Sequence, residues 1–342
     1  MRPVRRALAF RASILAGSAA AALAVPAARA AEPAFPPGNV YGQDVSAAAL
    51  DPQSASVIAW LESQGGFGLG RLQIDFSIEV LEADASTPFL DFTPTADFYD
   101  PDCDRAPMPV PAGGALEGES GYACTQDGDC HLIVWHRPSQ RLYEMWRADL
   151  RSGVLRGGCL AIWNLALPPP PNGRGEGCTS ADAGGLPIAP LLFSADEVAA
   201  GEIPHAVRFA LPNPRIRSRT YVRPATHATG AASGGSSAPP YGARLRLRAD
   251  YPVASLPTAG ARVLARALQR YGMILADGGN VALMGRSDRF TTAKWSGLLG
   301  PRDLASIRVS DFELVDGGAR FAWTGDCQRS LSAPGRPTLV SP

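Results

Sequence analysis

Six cysteines, at positions 103, 124, 130, 159, 178 and 327, constrain this chain more than any other feature. None of the spacings makes the paired CxxC that holds a structural zinc. An even count behind an export leader predicts disulfides instead. Six cysteines allow 15 pairings. The spacing favours Cys124 with Cys130 across a turn and Cys159 with Cys178 around a Pro-rich loop. Cys103 with Cys327 then follows by elimination and would tie the ends of the fold together.

The leader occupies residues 1–30. Arg2, Arg5 and Arg6 make a positive end, Ala12 to Val25 is a short apolar run, and Ala28-Arg29-Ala30 fits a small-x-small cleavage site. The mature chain is therefore expected to start near Ala31 and to form a single domain over 31–342, secreted or periplasmic. The apolar run is shorter than the ~20 residues that span a bilayer, and no later segment reads as a membrane anchor. The chain carries 32 basic and 32 acidic residues. Arg2, Arg5, Arg6, Arg11 and Arg29 all lie in the leader, which has no acid, so the remainder is mildly acidic. Such a surface has no general electrostatic reason to bind nucleic acid or anionic membranes.

Hydrophobic periodicity predicts a mainly β fold with a few helices, of packed antiparallel sheets in a sandwich or jelly-roll arrangement, with α+β as the alternative. Leu72, Ile74, Phe76, Ile78 and Val80 alternate with Gln73, Asp75, Ser77 and Glu79, which is the pattern of a half-buried strand. His131 to Arg137 and Arg141 to Ala148 read as a hairpin turning at Pro138-Ser139-Gln140. Cys159 to Leu167 is a further strand, ended by four consecutive prolines from Pro168. Val207, Phe209 and Leu211 alternate with Ala206, Arg208 and Ala210. Gly242 to Asp250 reads as another strand. Ser54 to Ser63 is a short helix. A longer one starts at the N-cap Thr258 and stops at Gly272. Met273 to Leu275 and Asn280 to Met284 read as strands around the turn Ala276-Asp277-Gly278-Gly279, and Lys294 to Leu299 as a short helix.

No nucleophile elbow, P-loop or HExxH motif is present, and no cofactor is expected. Candidate chemistry rests on carboxylates and histidines. Glu144 lies between Leu142 and Trp146 on one strand face. Burial would raise its pKa, as a general acid requires, and the tryptophan would stack on a sugar. Asp182 and Glu202 are the candidate second carboxylates of a glycosidase pair. His131, His205 and His227 sit at strand starts and loop edges, where sites are assembled. His205 is placed with the catalytic set. His131, Trp146, His227 and Asp129 are the candidate substrate-binding residues. A three-histidine metal site built from His131, His205 and His227 is the minority reading.

Several runs are familiar in order: Asp127-Gly128-Asp129-Cys130-His131, Leu142-Tyr143-Glu144, Ser180 to Ile188, Gly201-Glu202-Ile203 with His205-Ala206 and Arg208-Phe209, Pro224-Ala225 with His227, and Tyr271 to Ile274 with Ala276-Asp277. The chain resembles a family of secreted bacterial and fungal proteins. That resemblance implies one secreted domain and points to this residue set, without implying a reaction. The chain departs from the family pattern at Cys130, where the resemblance implies Arg.

The reading is an exported carbohydrate-active enzyme that cleaves a polysaccharide in a β-sheet groove by hydrolysis. A β-elimination lyase using His205 and Tyr143 is a variant. The alternatives are a non-catalytic glycan-binding protein with Trp135, Trp146 or Trp163 exposed in a row, and the histidine-ligated metal enzyme.

Overall fold

The computed structural model describes residues 32–329. The expected leader and cleavage site lie outside them. Ten strands make the two principal sheets. In chain order they are β1 (Ile74–Ile78), β2 (Leu81–Ala83), β3 (Leu132–His136), β4 (Arg141–Trp146), β5 (Cys159–Asn164), β6 (Val207–Leu211), β7 (Arg244–Leu247), β8 (Met273–Gly278), β9 (Leu283–Arg286) and β10 (Phe312–Leu314). The larger sheet has the order β1-β9-β6-β8-β7-β10, and the smaller β5-β4-β3-β2. Among the described residues three α-helices, α1 (Ser54–Ser63), α2 (Ala195–Ala200) and α3 (Ala259–Arg270), complete a β-rich α+β fold.

The hairpin forms as its alternation predicts, with β3 and β4 antiparallel around a turn at Arg137–Ser139. Both faces of this hairpin are buried. Ile133, Trp135, Leu142 and Trp163 point into the main core, while Leu132, Val134, Tyr143 and Met145 point into a second, smaller one. The main core is closed on the far side by the larger sheet and by α3, whose Leu264 and Leu268 are fully buried. Thr258 caps α3 by accepting the Ala261 N–H at 3.1 Å.

Strand direction departs from the all-antiparallel expectation. β1 runs parallel to β9, β6 parallel to β8, and β2 parallel to β3. Alternation reports which face of a strand is buried, not which way its neighbour runs. The same limit explains β8 and β9. They are not joined as a hairpin, because β6 lies between them in the sheet. β8 also continues through Ala276 to Gly278, where the sequence suggests a turn. Lys294 to Leu299 forms turns rather than a helix.

Glu144 is where the core departs most from its sequence reading. Its side chain is fully buried on the main-core face, opposite Ile133 and Ala161. Its carboxylate accepts the backbone N–H groups of Ile188 (2.9 Å) and Ala189 (2.8 Å) and the indole N–H of Trp163 (2.9 Å). Burial pushes its pKa up, and the two backbone donors oppose this. Those donors belong to the start of a 3-10 turn at Ala189–Leu191, and a buried helical start must find acceptors outside itself. Glu144 therefore bonds the smaller sheet to that turn and has no face left for a substrate.

The cysteines pair as Cys103–Cys159, Cys124–Cys130 and Cys178–Cys327. Only Cys124–Cys130 matches the spacing argument. Backbone pairing decides the others. Asp104 N–H donates to Leu160 O at 2.7 Å, which lays Cys103 beside Cys159. Gln328 N–H donates to Glu176 O at 2.7 Å, which brings Cys327 to Cys178.

Peptide mapping without reduction is expected to recover these three pairs, and a Cys159–Cys178 peptide would overturn the assignment. Glu144→Gln turns an amide N–H₂ toward donors and is expected to lower stability by roughly 1–3 kcal/mol in urea denaturation. Unchanged stability would contradict the structural role of Glu144.

Candidate functional site

Arg208 projects from β6 on the face it shares with Ala206 and Ala210, whose small side chains leave room for a long one. It is buried, and its Nη2 donates to Asp182 Oδ1 at 2.8 Å and to Asp277 Oδ2 at 3.4 Å. Asp277 comes from the end of β8, in register with Ala210. Asp182 comes from the 178–186 segment. Burial pushes the carboxyl groups of both aspartates up. Each is raised further by a neighbouring carboxylate, Asp182 by Asp277 and Asp277 by Asp129, against the pull of Arg208.

The 178–186 segment is irregular backbone held by specific bonds. Thr179 N–H donates to Asp102 Oδ1 at 2.7 Å, Ser180 Oγ accepts the Asp182 N–H at 3.0 Å, and Gly184 N–H donates to Ala276 O at 2.8 Å. Gly185 sits at φ +72°, and a Cβ there would lie 2.3 Å from Thr226 Oγ1, so both backbone and space require glycine. Two histidines brace the segment. His227 Nδ1–H donates to Ala183 O at 2.7 Å, and burial pushes its pKa down. His131 lies between two acceptors, Glu117 Oε2 at 2.6 Å and Ala181 O at 3.0 Å. Both ring nitrogens must carry protons to donate in both directions. Burial alone would lower its pKa. Burial is the largest single influence, but the Glu117 carboxylate, with Asp129 and the Ala181 carbonyl, outweighs it and holds the pKa at about 9.

Above this charged floor is a cavity of about 460 Å³. Tyr99, Trp146, His227 and Trp323 form aromatic walls, and Asp102, Asp129, Asp182 and Asp277 supply the charge of the lining. Asp129 accepts the Trp146 indole N–H at 2.9 Å. Its loop is closed by Cys124–Cys130, which helps to place Asp129. The His227 ring meets Trp323 edge-on, with centroids 4.8 Å apart.

Four of the residues singled out from sequence, Asp129, Trp146, Asp182 and His227, therefore line one cavity, with His131 directly beneath. The others lie elsewhere. Glu144 is sealed in the core. Glu202 is exposed, with an oxygen 3.5 Å from Arg270 Nη1. His205 faces a second cavity of about 400 Å³, where Nδ1–H donates to Ala206 O at 2.8 Å and Nε2 lies 3.4 Å from Glu197. The three histidines do not converge, and His131 has no nitrogen lone pair to offer a metal. Among the described residues, two groupings have ligand-like spacing, Asp102 with Cys178 and Cys327, and Glu119 with Cys124 and Cys130. Their cysteines are in disulfides and supply no thiolate. Trp135, Trp163 and Tyr143 are buried, so neither the exposed indole row nor the His205–Tyr143 pair is assembled.

Glu117, Asp277, Trp323, Tyr99 and Asp102 were not among the candidates. One signal for the centre was present: an arginine inside the apolar run Ala206 to Leu211 must find carboxylates when the strand is buried. No family model, curated protein or solved structure matches this chain.

The His131–Glu117 pair makes stability depend on pH. The His131 pKa is raised from 6.5 in the unfolded reference to about 9. Its contribution is complete below 6.5 and is lost as pH rises through 9, because over that interval the folded state holds a proton that the unfolded chain releases. His205 is also raised and acts in the same sense. The His131 share is expected to reach at most about 3 kcal/mol. Urea denaturation at pH 6.5 and pH 9 measures it, with a shallower fall in His131→Gln than in the native chain. Identical falls would rule out the charged His131.

Proposed function

We propose that the protein is an exported carbohydrate-active enzyme, a glycoside hydrolase working in the Asp129–Asp182–Asp277 cavity. The observation that carries this reading is Asp277. Its carboxyl is about a quarter exposed to the cavity, shares one guanidinium nitrogen with buried Asp182, and is pushed up by burial and by Asp129. A carboxyl whose hold on a proton is strengthened beside a second carboxylate is what protonation of a glycosidic oxygen calls for. Asp277 is the proton donor in this reading, and Asp129, held by the Trp146 indole, is the second carboxylate. Asp182 is a positioning residue that acts through Arg208. The walls of Tyr99, Trp146 and Trp323 give flat apolar faces of the kind that pack against sugar rings. Three disulfides are compatible with export to an oxidising compartment, and no helix among the described residues is long and apolar enough to cross a membrane. The partner is an extracellular polysaccharide.

A screen of the purified chain against neutral, amine-bearing and uronate polysaccharides, read as new reducing ends, tests the activity. On a substrate so found, Asp277→Asn is expected to lower kcat by about 10²–10⁴-fold, while Glu202→Gln leaves it unchanged. Full activity in Asp277→Asn would remove the proton donor from this scheme.

A further inference from the structure

We infer that the cavity takes the end of a sugar chain rather than its interior, so that the protein is exo-acting and its substrates are chain ends and short oligosaccharides. The inference rests on the glycoside hydrolase reading above and narrows it.

The wall is the first observation. Around the cavity, neighbouring segments are joined to one another on every side but one. Gly158 N–H donates to Trp146 O at 2.9 Å and Thr95 N–H to Gly157 O at 3.0 Å, which carries the wall from Trp146 to the Tyr99 loop. Cys103 N–H donates to Tyr99 O at 2.9 Å, turning that loop at Asp102. Arg329 Nη1 donates to Asp102 O at 3.0 Å and Cys327 is bonded to Cys178, so the segment that carries Trp323 and Gly325 is tied to the Asp102 side. Trp323 meets His227, and its N–H donates to Arg219 O at 2.9 Å. Thr229 and Gly230 follow His227 in the chain. Their loop reaches the last side through Asn213. Ser233 N–H donates to Asn213 O at 3.1 Å, and a Cβ on Gly278 would lie 2.4 Å from Asn213 Oδ1.

The remaining side lies between Gly278 and Asp129. Among the described residues no hydrogen bond or ion pair joins Asp129 to Asp277. Asp129 is exposed, and the Asp277 side chain is about a quarter exposed. The second observation is therefore that the open side is flanked by the two carboxylates assigned to the reaction. The third is size. A volume of about 460 Å³ lies toward the lower end of the range of sites that enclose small molecules, roughly 300–1,000 Å³.

An internal unit of a polymer has a chain to lead out in two directions, and a terminal unit in one. A wall with one open side fits the terminal unit. It sets the bond next to that unit between Asp129 and Asp277 and lets the rest of the sugar chain leave past them. Hydrolysis at that bond consumes one water. The water hydroxyl goes to the anomeric carbon, Asp277 gives its proton to the departing glycosidic oxygen, and the water proton restores Asp277.

The test uses the polysaccharide found by the screen above and oligosaccharides of the same polymer that extend beyond the cavity. The oligosaccharides are prepared intact, reduced to the alditol at one end, O-methylated at the other, and blocked at both. Viscosity and chain-size distribution are followed against new reducing ends. The native protein is expected to release one short product from the first turnovers while viscosity falls little. Cleavage should be lost on the doubly blocked form and on one singly blocked form, which names the end that enters. Trp323→Ala, which lowers one wall, should raise the share of internal cuts, and an unchanged pattern would overturn the role of that wall. Calorimetry with Asp277→Asn and sugar chains of increasing length should count one protein per chain end used, whatever the length. A rapid fall in viscosity with a ladder of intermediate sizes, cleavage of the doubly blocked form, or a count that grows with length overturns the inference and leaves the hydrolase reading standing. Where the screen finds no cleavage, the native protein is titrated with the same polysaccharides. A length-independent count then keeps the chain-end site and removes the hydrolase reading, and neither binding nor cleavage overturns both.

Discussion

The buried guanidinium of Arg208 is the interaction on which the described site depends. Taking an arginine out of water costs several kcal/mol, repaid only when carboxylates and hydrogen bonds meet it in good geometry. The chain supplies Asp182 from an irregular segment and Asp277 from the end of a strand. Neither arrives by local structure. The larger sheet must place β8 beside β6 in parallel, and the 178–186 segment must fold back over both. The ion pair is thus a consequence of the sheet order and a reason for that segment to hold one conformation.

Around this pair, polar groups that resemble catalytic ones are used to hold backbone. Glu144 accepts the N–H groups at the start of a buried 3-10 turn, His131 links Glu117 to the Ala181 carbonyl, and His227 holds the Ala183 carbonyl. Irregular backbone in a buried setting has donors and acceptors that no ladder satisfies. Side chains long enough to reach them are the remedy, and a desolvated acid or imidazole acquires a shifted pKa as a result. A shifted pKa marks burial here as readily as function. What separates Asp277 from Glu144 is access: one opens on a cavity, while the other is saturated by three donors.

The disulfides follow the same division between local and long-range pairing. Cys124 and Cys130 are six positions apart and close their own loop. Cys178 and Cys327 are 149 apart and meet only because a terminal segment pairs with Glu176. Proximity along the chain was a sound guide for the first and misleading for the second, because backbone pairing at Glu176 sets Cys327 beside Cys178 while pairing of Asp104 with Leu160 sets Cys103 beside Cys159.

The sequence by itself determined the β-rich class, the hairpin, the α3 helix with its Thr258 cap and the short disulfide, and it singled out four residues that line one cavity. Each follows from interactions between residues close in the chain or from a period of two or 3.6, and such patterns are written in the order of side chains. Tertiary structure alone decided strand direction, the two long-range disulfides, and which polar residues face a cavity. Asp129, Trp146, Asp182 and His227 come together, Glu144 is sealed away, and His205 is carried to another face. These outcomes depend on sheet order and on the path of an irregular segment, set by long-range packing and by the need to satisfy one buried arginine, and no local pattern encodes them.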